Sequence, residues 1–361
     1  MMLSELAQGR DNNFNLIRLL AALAVLFVHC FPLALGKGGV APLTASLGMD
    51  PGTIAVDVFF ITSGFLVTAS LLARQSTLEF VWARVLRIYP ALLVVVALTV
   101  LVLGPAFTTL PLPAYFSAPG VGDYALKCAS LIGGIAIHLP GVFETNPYPA
   151  AVNGSLWTMP YELRMYLILA LVWLGLGVVP GRRREAFRVL VLVIALGAGL
   201  ATFSRHYLHT DSGYFARFAW MFFSGAACQV LKARIPLSTP IFALGVVALA
   251  VSAVSREVFF AAYMLTLTYL VLYLAHVPGG LVRRFNRLGD WSYGVYIYAF
   301  PVQQAVVALM PGVSVAVLFL VSATLTLGFA ALSWRLVERR ALGLKGHFVA
   351  RSRALVGREA G

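Results

Sequence analysis

Charge is scarce in this sequence: Asp, Glu, Lys and Arg make up 11% of its 361 residues, where a soluble globular protein carries about 25%. A chain so poor in charge cannot cover a water-facing surface, and a soluble fold is excluded. Cysteine is sparse too, at three residues. Cys30, Cys128 and Cys228 have no CxxC or CxxH spacing, and their odd number closes no disulfide framework. They read as packing residues, with an outside Cys30–Cys128 bridge as the alternative. Strict alternation is also missing. Stretches such as 91–103 and 190–201 stay apolar without the period of two that a transmembrane barrel needs, so a barrel is set aside. What the sequence has instead is long apolar runs. Residues are 60% hydrophobic, mean hydropathy is +0.87, and the runs reach about 20 residues, enough to cross a hydrocarbon core about 30 Å thick. The fold class that follows is an all-α, polytopic transmembrane helix bundle.

These runs place ten spans, at 14–35, 52–73, 84–104, 156–178, 187–204, 214–231, 236–253, 257–276, 291–310 and 313–334. Between the third and fourth lies a long segment, 105–155, whose apolar stretch at 124–139 is too short to span comfortably and reads as a surface or re-entrant helix. The 27 Lys and Arg against 14 Asp and Glu give a net charge of +13. In a soluble protein that balance would suggest a nucleic-acid partner; here membrane topology explains it, and no nucleic acid is expected. With the N-terminus inside, 21 of the 27 basic residues fall in the cytoplasm, including Arg10, Arg182 to Arg184, Arg353 and Arg358. Lys37, Lys127, Arg205, Arg217 and Arg256 fall outside, and Arg164 lies within a span. The positive-inside rule is met, with both termini cytoplasmic. An eleventh span at 124–139 would invert every later loop. The first span is too long for a signal-peptide core and carries a histidine, so it reads as retained. The expected organisation is a cytoplasmic segment 1–13, a transmembrane domain 14–344 that includes the outer segment 105–155, and a basic tail 345–361 on the membrane surface.

Ionisable residues inside a span are expensive and point to function. Arg18 and His29 are eleven residues apart on the first span, which puts them on one face. Arg18 lies at the cytoplasmic edge, with His29 roughly 16 Å deeper. On the second span Asp57 and Gly64 share a face, beside Ser63, and the small residues let another helix or a ligand approach closely. On the fourth, Glu162 and Tyr166 at i, i+4 point the same way, while Arg164 does not face Glu162. Arg84 and Arg87 at i, i+3 make a phosphate clamp or a lipid-headgroup anchor. Asn153, Trp157, Tyr161, Tyr166 and Tyr296 are candidates for binding an acceptor, against the plainer reading of the aromatics as an interfacial belt. A desolvated imidazole next to a carboxylate can serve as a general base near neutral pH.

These segments resemble the acyltransferase-3 family of integral membrane O-acyltransferases. The resemblance rests on Arg18 with His29, Asp57 with Ser63-Gly64-Phe65, Arg84 and Arg87 followed by Tyr89-Pro90, and Trp157 with Glu162 and Tyr166. Gly289 to Tyr296, Phe300-Pro301, and Trp334 with Glu338 extend it, so that it runs from about residue 13 to residue 344. It implies ten spans in a bacterial inner membrane, an acetyl-CoA or other acyl-CoA donor loaded from the cytoplasm, no metal, and a polysaccharide or glycolipid acceptor delivered with polysaccharide-assembly proteins. It also implies a catalytic His29 and donor handling by Arg18, Arg84 and Arg87; beside it, Glu162 or Asp57 is expected to orient the imidazole, and Ser63 and Gly64 are expected to line the donor site. Two positions depart from many relatives: Tyr298-Ala299-Phe300 stands where they carry His, and Arg339 where they carry Pro. The rival readings are acylation of a small secreted metabolite or lipid, and transport of a lipid-linked sugar.

Overall fold

The computed structural model describes residues 1–9, 11–178, 181–210 and 213–359, with side chains up to Ser352. The expected inside charge Arg10 and the side chains of Arg353 and Arg358 lie outside the described residues. Among the described residues there are helices and isolated bridges but no strands. Every apolar run expected to span the membrane is a helix. These are α1 (Phe14–Leu35), α2 (Pro51–Arg74), α3 (Thr77–Leu98), α4 (Met159–Gly175), α5 (Arg183–Tyr207), α6 (Phe215–Val230), α7 (Thr239–Ser252), α8 (Arg256–His276), α9 (Ser292–Leu309) and α10 (Val315–Ser333).

Among the described residues, seven helical stretches are long and apolar enough to cross a membrane, counting Thr77–Phe107, Gly154–Val178 and Val315–Ser352 as continuous. The shorter or more polar helices are α6, α7 and α9. For α6 and α9 burial explains the composition. Most of α6 from Ala216 to Ala226, and nearly all of α9, is enclosed by protein. Such helices need not be apolar toward lipid, and their Ser, Tyr and Gln side chains find partners inside. Outward faces elsewhere are apolar and exposed, as at Leu93, Leu171, Leu196, Leu244 and Leu320. The chain is therefore a multi-pass membrane protein.

The chain divides into two compact units. The first comprises residues 1–21, 42–77 and 161–289; the second comprises 22–41, 78–160 and 290–361. In the first unit α2 is started by Asp50, whose carboxylate accepts from Thr53 N at 2.8 Å, with Pro51 in the first turn. It then packs backbone to backbone on α6. A Cβ added at Gly64 would lie 1.8 Å from Phe222 O, and one at Gly225 would lie 2.2 Å from Ile61 O. In the second unit α9 packs on α10, with Gly294 against Ala330.

The segment expected to hold a helix at 124–139 is built differently. Helix Pro119–Ser130 ends where Leu131 turns left-handed (φ 59°) and donates its N–H to Lys127 O, and Gly133 and Gly134 continue with positive φ. The glycines break an apolar pattern that reads as longer. All three cysteines are free, which removes the Cys30–Cys128 bridge. Cys128 donates to Ala136 O at 3.1 Å, and burial pushes its thiol up to about 11.

The α2–α6 contact yields a direct test. Gly64→Val and Gly225→Val each force the two backbones apart and should destabilise the detergent-solubilised protein by at least about 1–3 kcal/mol, read as a lower Tm. Gly197→Val, on α5 where an added Cβ meets nothing within 4 Å, should leave Tm nearly unchanged.

Candidate active site

His29 lies in the second unit, on α1 one turn before Pro32. Its ring meets Phe300 of α9 edge-on, with centroids 5.2 Å apart. Gln303, one turn further along α9, bonds to α1 on both sides of the histidine, once to its backbone and once to a side chain. Its Nε2 donates to Leu26 O at 2.8 Å and to Cys30 Sγ at 3.0 Å. The turn Gly154–Thr158 also packs on α9, and a Cβ at Gly154 would fall 2.8 Å from the Phe300 ring. Asn153 Nδ2 donates to Ile297 O at 3.0 Å, and Tyr296 OH donates to Ser155 O at 2.6 Å while lying 2.5 Å from Thr158 Oγ1. Asn153 and Tyr296 are expected from sequence to meet an acceptor. Both are buried, and the bonds they make seat this turn beside Phe300 instead. Trp157 is partly buried in the same turn.

Elsewhere in the second unit, Arg87 of α3 donates to two carboxylates. Its Nη2 lies 2.5 Å from Asp290 Oδ2 and its Nη1 lies 2.9 Å from Glu338 Oε2. The guanidinium also stacks 5.4 Å from the Tyr293 ring centroid, and Tyr293 OH donates to Ile88 O. Glu338 is 1% exposed, ends a π-helical turn (Trp334–Glu338), and accepts from Ser333 Oγ at 3.0 Å. Ser292 donates to the other oxygen of Asp290. The phosphate clamp read from the Arg84, Arg87 spacing therefore has one of its arginines already neutralised by two acids. Arg84, one turn earlier on α3, is partly buried.

In the first unit Asp57 is fully buried. Arg217 Nε lies 3.2 and 3.1 Å from its two oxygens, Arg217 Nη2 lies 2.5 Å from Oδ2, and Tyr263 OH donates to Oδ2 at 2.8 Å. Arg217 is thus not the outside-loop charge that the span count suggests. It sits in the first turn of α6 and completes an ion pair inside the bundle. The signal for it was depth, since both residues lie within one or two turns of the same end of their spans. Ser63, Glu162 and Tyr166 do come together. Ser63 Oγ donates to Glu162 Oε1 at 3.1 Å, and Tyr166 OH donates to the same oxygen.

The remaining candidates in this unit are placed by ring contacts and packing. Arg18 lies 5.6 Å from the Phe59 ring, and Tyr161 packs edge-on against Phe218, with exposed Arg164 5.4 Å from its ring centroid. Gly64, a candidate for the donor surface, is covered by the Phe222 backbone and serves helix packing. The chemistry this arrangement offers is a histidine in a membrane helix, packed on Phe300, whose imidazole can take a proton from a hydroxyl.

The profile of the acyltransferase domain matches residues 11–335. The chain belongs to the acyltransferase-3 family. This membrane acyltransferase is 31% identical over 348 residues to the "O-acetyl transferase" of Shigella phage Sf6, covering 92% of this chain and 96% of the relative. It is also 31% identical over 386 residues to "Nodulation protein 10" of Rhizobium leguminosarum bv. viciae, covering 96% and 98%. No solved structure matches it.

The buried Asp57 is the acid whose loss this geometry makes costly. Asp57→Ala leaves Arg217 without its carboxylate and should cost about 3–5 kcal/mol, measured as a fall in Tm. Asp57→Leu combined with Arg217→Met removes both charges and should recover most of that loss.

Proposed function

We propose that this acyltransferase moves an acetyl or other acyl group from acyl-CoA, loaded from the cytoplasm, to a hydroxyl of a cell-surface or exported polysaccharide or its lipid-linked precursor. It does so in a bacterial inner membrane with both termini cytoplasmic, alongside the proteins that assemble the glycan. The observation that carries this reading is His29, an imidazole within a membrane-length apolar helix that Gln303 bonds at the neighbouring Leu26 and Cys30. The nearly full-length match to a protein named O-acetyl transferase supports the acyl group chosen.

In the step itself, His29 takes the proton of the acceptor hydroxyl as its oxygen attacks the thioester carbonyl. The C–S bond breaks, and the CoA thiolate leaves and takes up the proton from the imidazolium. A transient acyl-imidazole fits the same residue. Arg18, Arg84 and Arg87 are the candidates that attract the donor's phosphates, Arg87 by exchanging Asp290 or Glu338 for a phosphate oxygen. Asp57 and Glu162 are each held by partners of their own, so the base role rests on His29 alone. The acceptor meets the outer segment 105–155 and the aromatic residues Trp157 and Tyr161.

The test compares surface and secreted glycans, by mass spectrometry and NMR, from cells expressing the wild type, His29→Ala or His29→Gln at equal membrane levels. Loss of one O-acyl group in both variants is expected, with transfer falling roughly 10²–10⁴-fold. Full O-acylation in either variant would refute the role of His29. A glycan that never carries the group, with an acylated secreted metabolite lost in its place, would move the acceptor to a small molecule.

A further inference from the structure

In the first unit a cavity of about 390 Å³ opens between the ends of α2, α5 and α6, on the face that charge asymmetry assigns to the cytoplasm. Leu72 and Phe187 form its apolar floor, and Arg184, Arg188 and Lys232 line it without any carboxylate among the described residues of the wall. Glu185 shares a turn with Arg184 but is not part of the wall. Arg184 and Arg188 stand at i, i+4 on α5, and Lys232 approaches from the turn that follows α6. Three cations gathered around one concavity repel one another unless an anion joins them. Arg184 lies in the first turn of α5, the end of a helix that favours an anion. Arg184 also lies against the side-chain amide of Gln75, a neutral partner that leaves its charge uncompensated.

A second observation points the same way. Gln229 near the end of α6 is 6% exposed and lines the cavity, and its Oε1 has no hydrogen-bond partner among the described residues. A buried amide oxygen is costly to leave unmet. Gln229 lines the same cavity as the three cations, and a ligand that is anionic and also carries a hydrogen-bond donor answers both. With the amide turned, its nitrogen donates to the anion itself.

We infer that this cavity binds a phosphate ester, gripped by Arg184, Arg188 and Lys232, with Gln229 meeting the hydroxyl or amine next to the phosphate. Two sources share that chemistry: the headgroup of an anionic phospholipid, and a soluble nucleotide such as the phosphorylated ADP portion of a CoA thioester. The inference does not rest on the role given to His29.

Binding is read in two arms on the full-length protein. In the first, 3′,5′-ADP is titrated against protein in phosphatidylcholine nanodiscs. In the second, native mass spectrometry counts phosphatidylglycerol retained by the detergent-solubilised protein. Saturable binding is expected in at least one arm, and the arm that responds names the source. In that arm Arg188→Gln with Lys232→Gln, at positions that are not buried, should weaken binding at least tenfold. Gln229→Leu should weaken it threefold or more, and Arg234→Gln, a cation outside the wall, should leave it unchanged. Absence of saturable binding in both arms overturns the site, as does unchanged affinity in either cavity variant. A loss in Arg234→Gln as large as in the double variant reduces the cavity to diffuse surface charge and overturns it equally.

Discussion

A carboxylate inside a hydrocarbon slab has no water to solvate it, and much of this structure follows from how the chain answers that cost. Asp57 receives Arg217 and Tyr263 from two other helices, so one residue ties α2, α6 and α8 together. The same solution recurs in the second unit, where Arg87 draws Asp290 and Glu338 from two separate segments onto α3. These bonds are poor sources of net stability, because desolvation offsets most of the Coulombic gain. What they supply is register. A helix that slides by one turn, about 5.4 Å, leaves a buried charge unpaired, and in lipid that is far costlier than losing an apolar contact.

Close packing completes what the charges begin. Small residues let backbones approach where no hydrophobic drive between helices exists, and the reciprocal contact of Gly64 and Gly225 does so between α2 and α6. Once α2 is held there, Ser63 is presented to Glu162, and Tyr166 closes on the same oxygen. The polar cluster on α4 is therefore a consequence of a glycine contact on another pair of helices.

The helices were legible in the sequence because lipid imposes a length and a composition on each. The limits of that rule are equally physical. A helix enclosed by protein is released from it, which is why α6 and α9 are shorter or more polar than a lipid-facing span. The helix expected at 124–139 is stopped by Leu131 and the two glycines after it, a local backbone preference that apolar content does not encode. At the site, residues paired along one helix face were readable: Glu162 and Tyr166 lie four apart and do meet. Partners from distant segments were not. Nothing in the spacing of Arg84 and Arg87 says that Asp290 and Glu338 will converge on one of them, and Arg217 looked like a loop charge because a span edge is uncertain by about one turn.

That convergence changes how the basic residues divide their work. A guanidinium that already holds two carboxylates takes up a phosphate only as one of those acids yields its place. Arg184, Arg188 and Lys232 line a cavity with no acid among the described residues of its wall, and the same phosphate gains there from every charge it meets. Positive-inside counting treats all these residues alike, since it registers only the sign of each side chain and the face it occupies. What separates them is the company each cation keeps after folding: a cation matched by acids holds helices in register, and a group of cations left unmatched around a concavity is built to receive an anion.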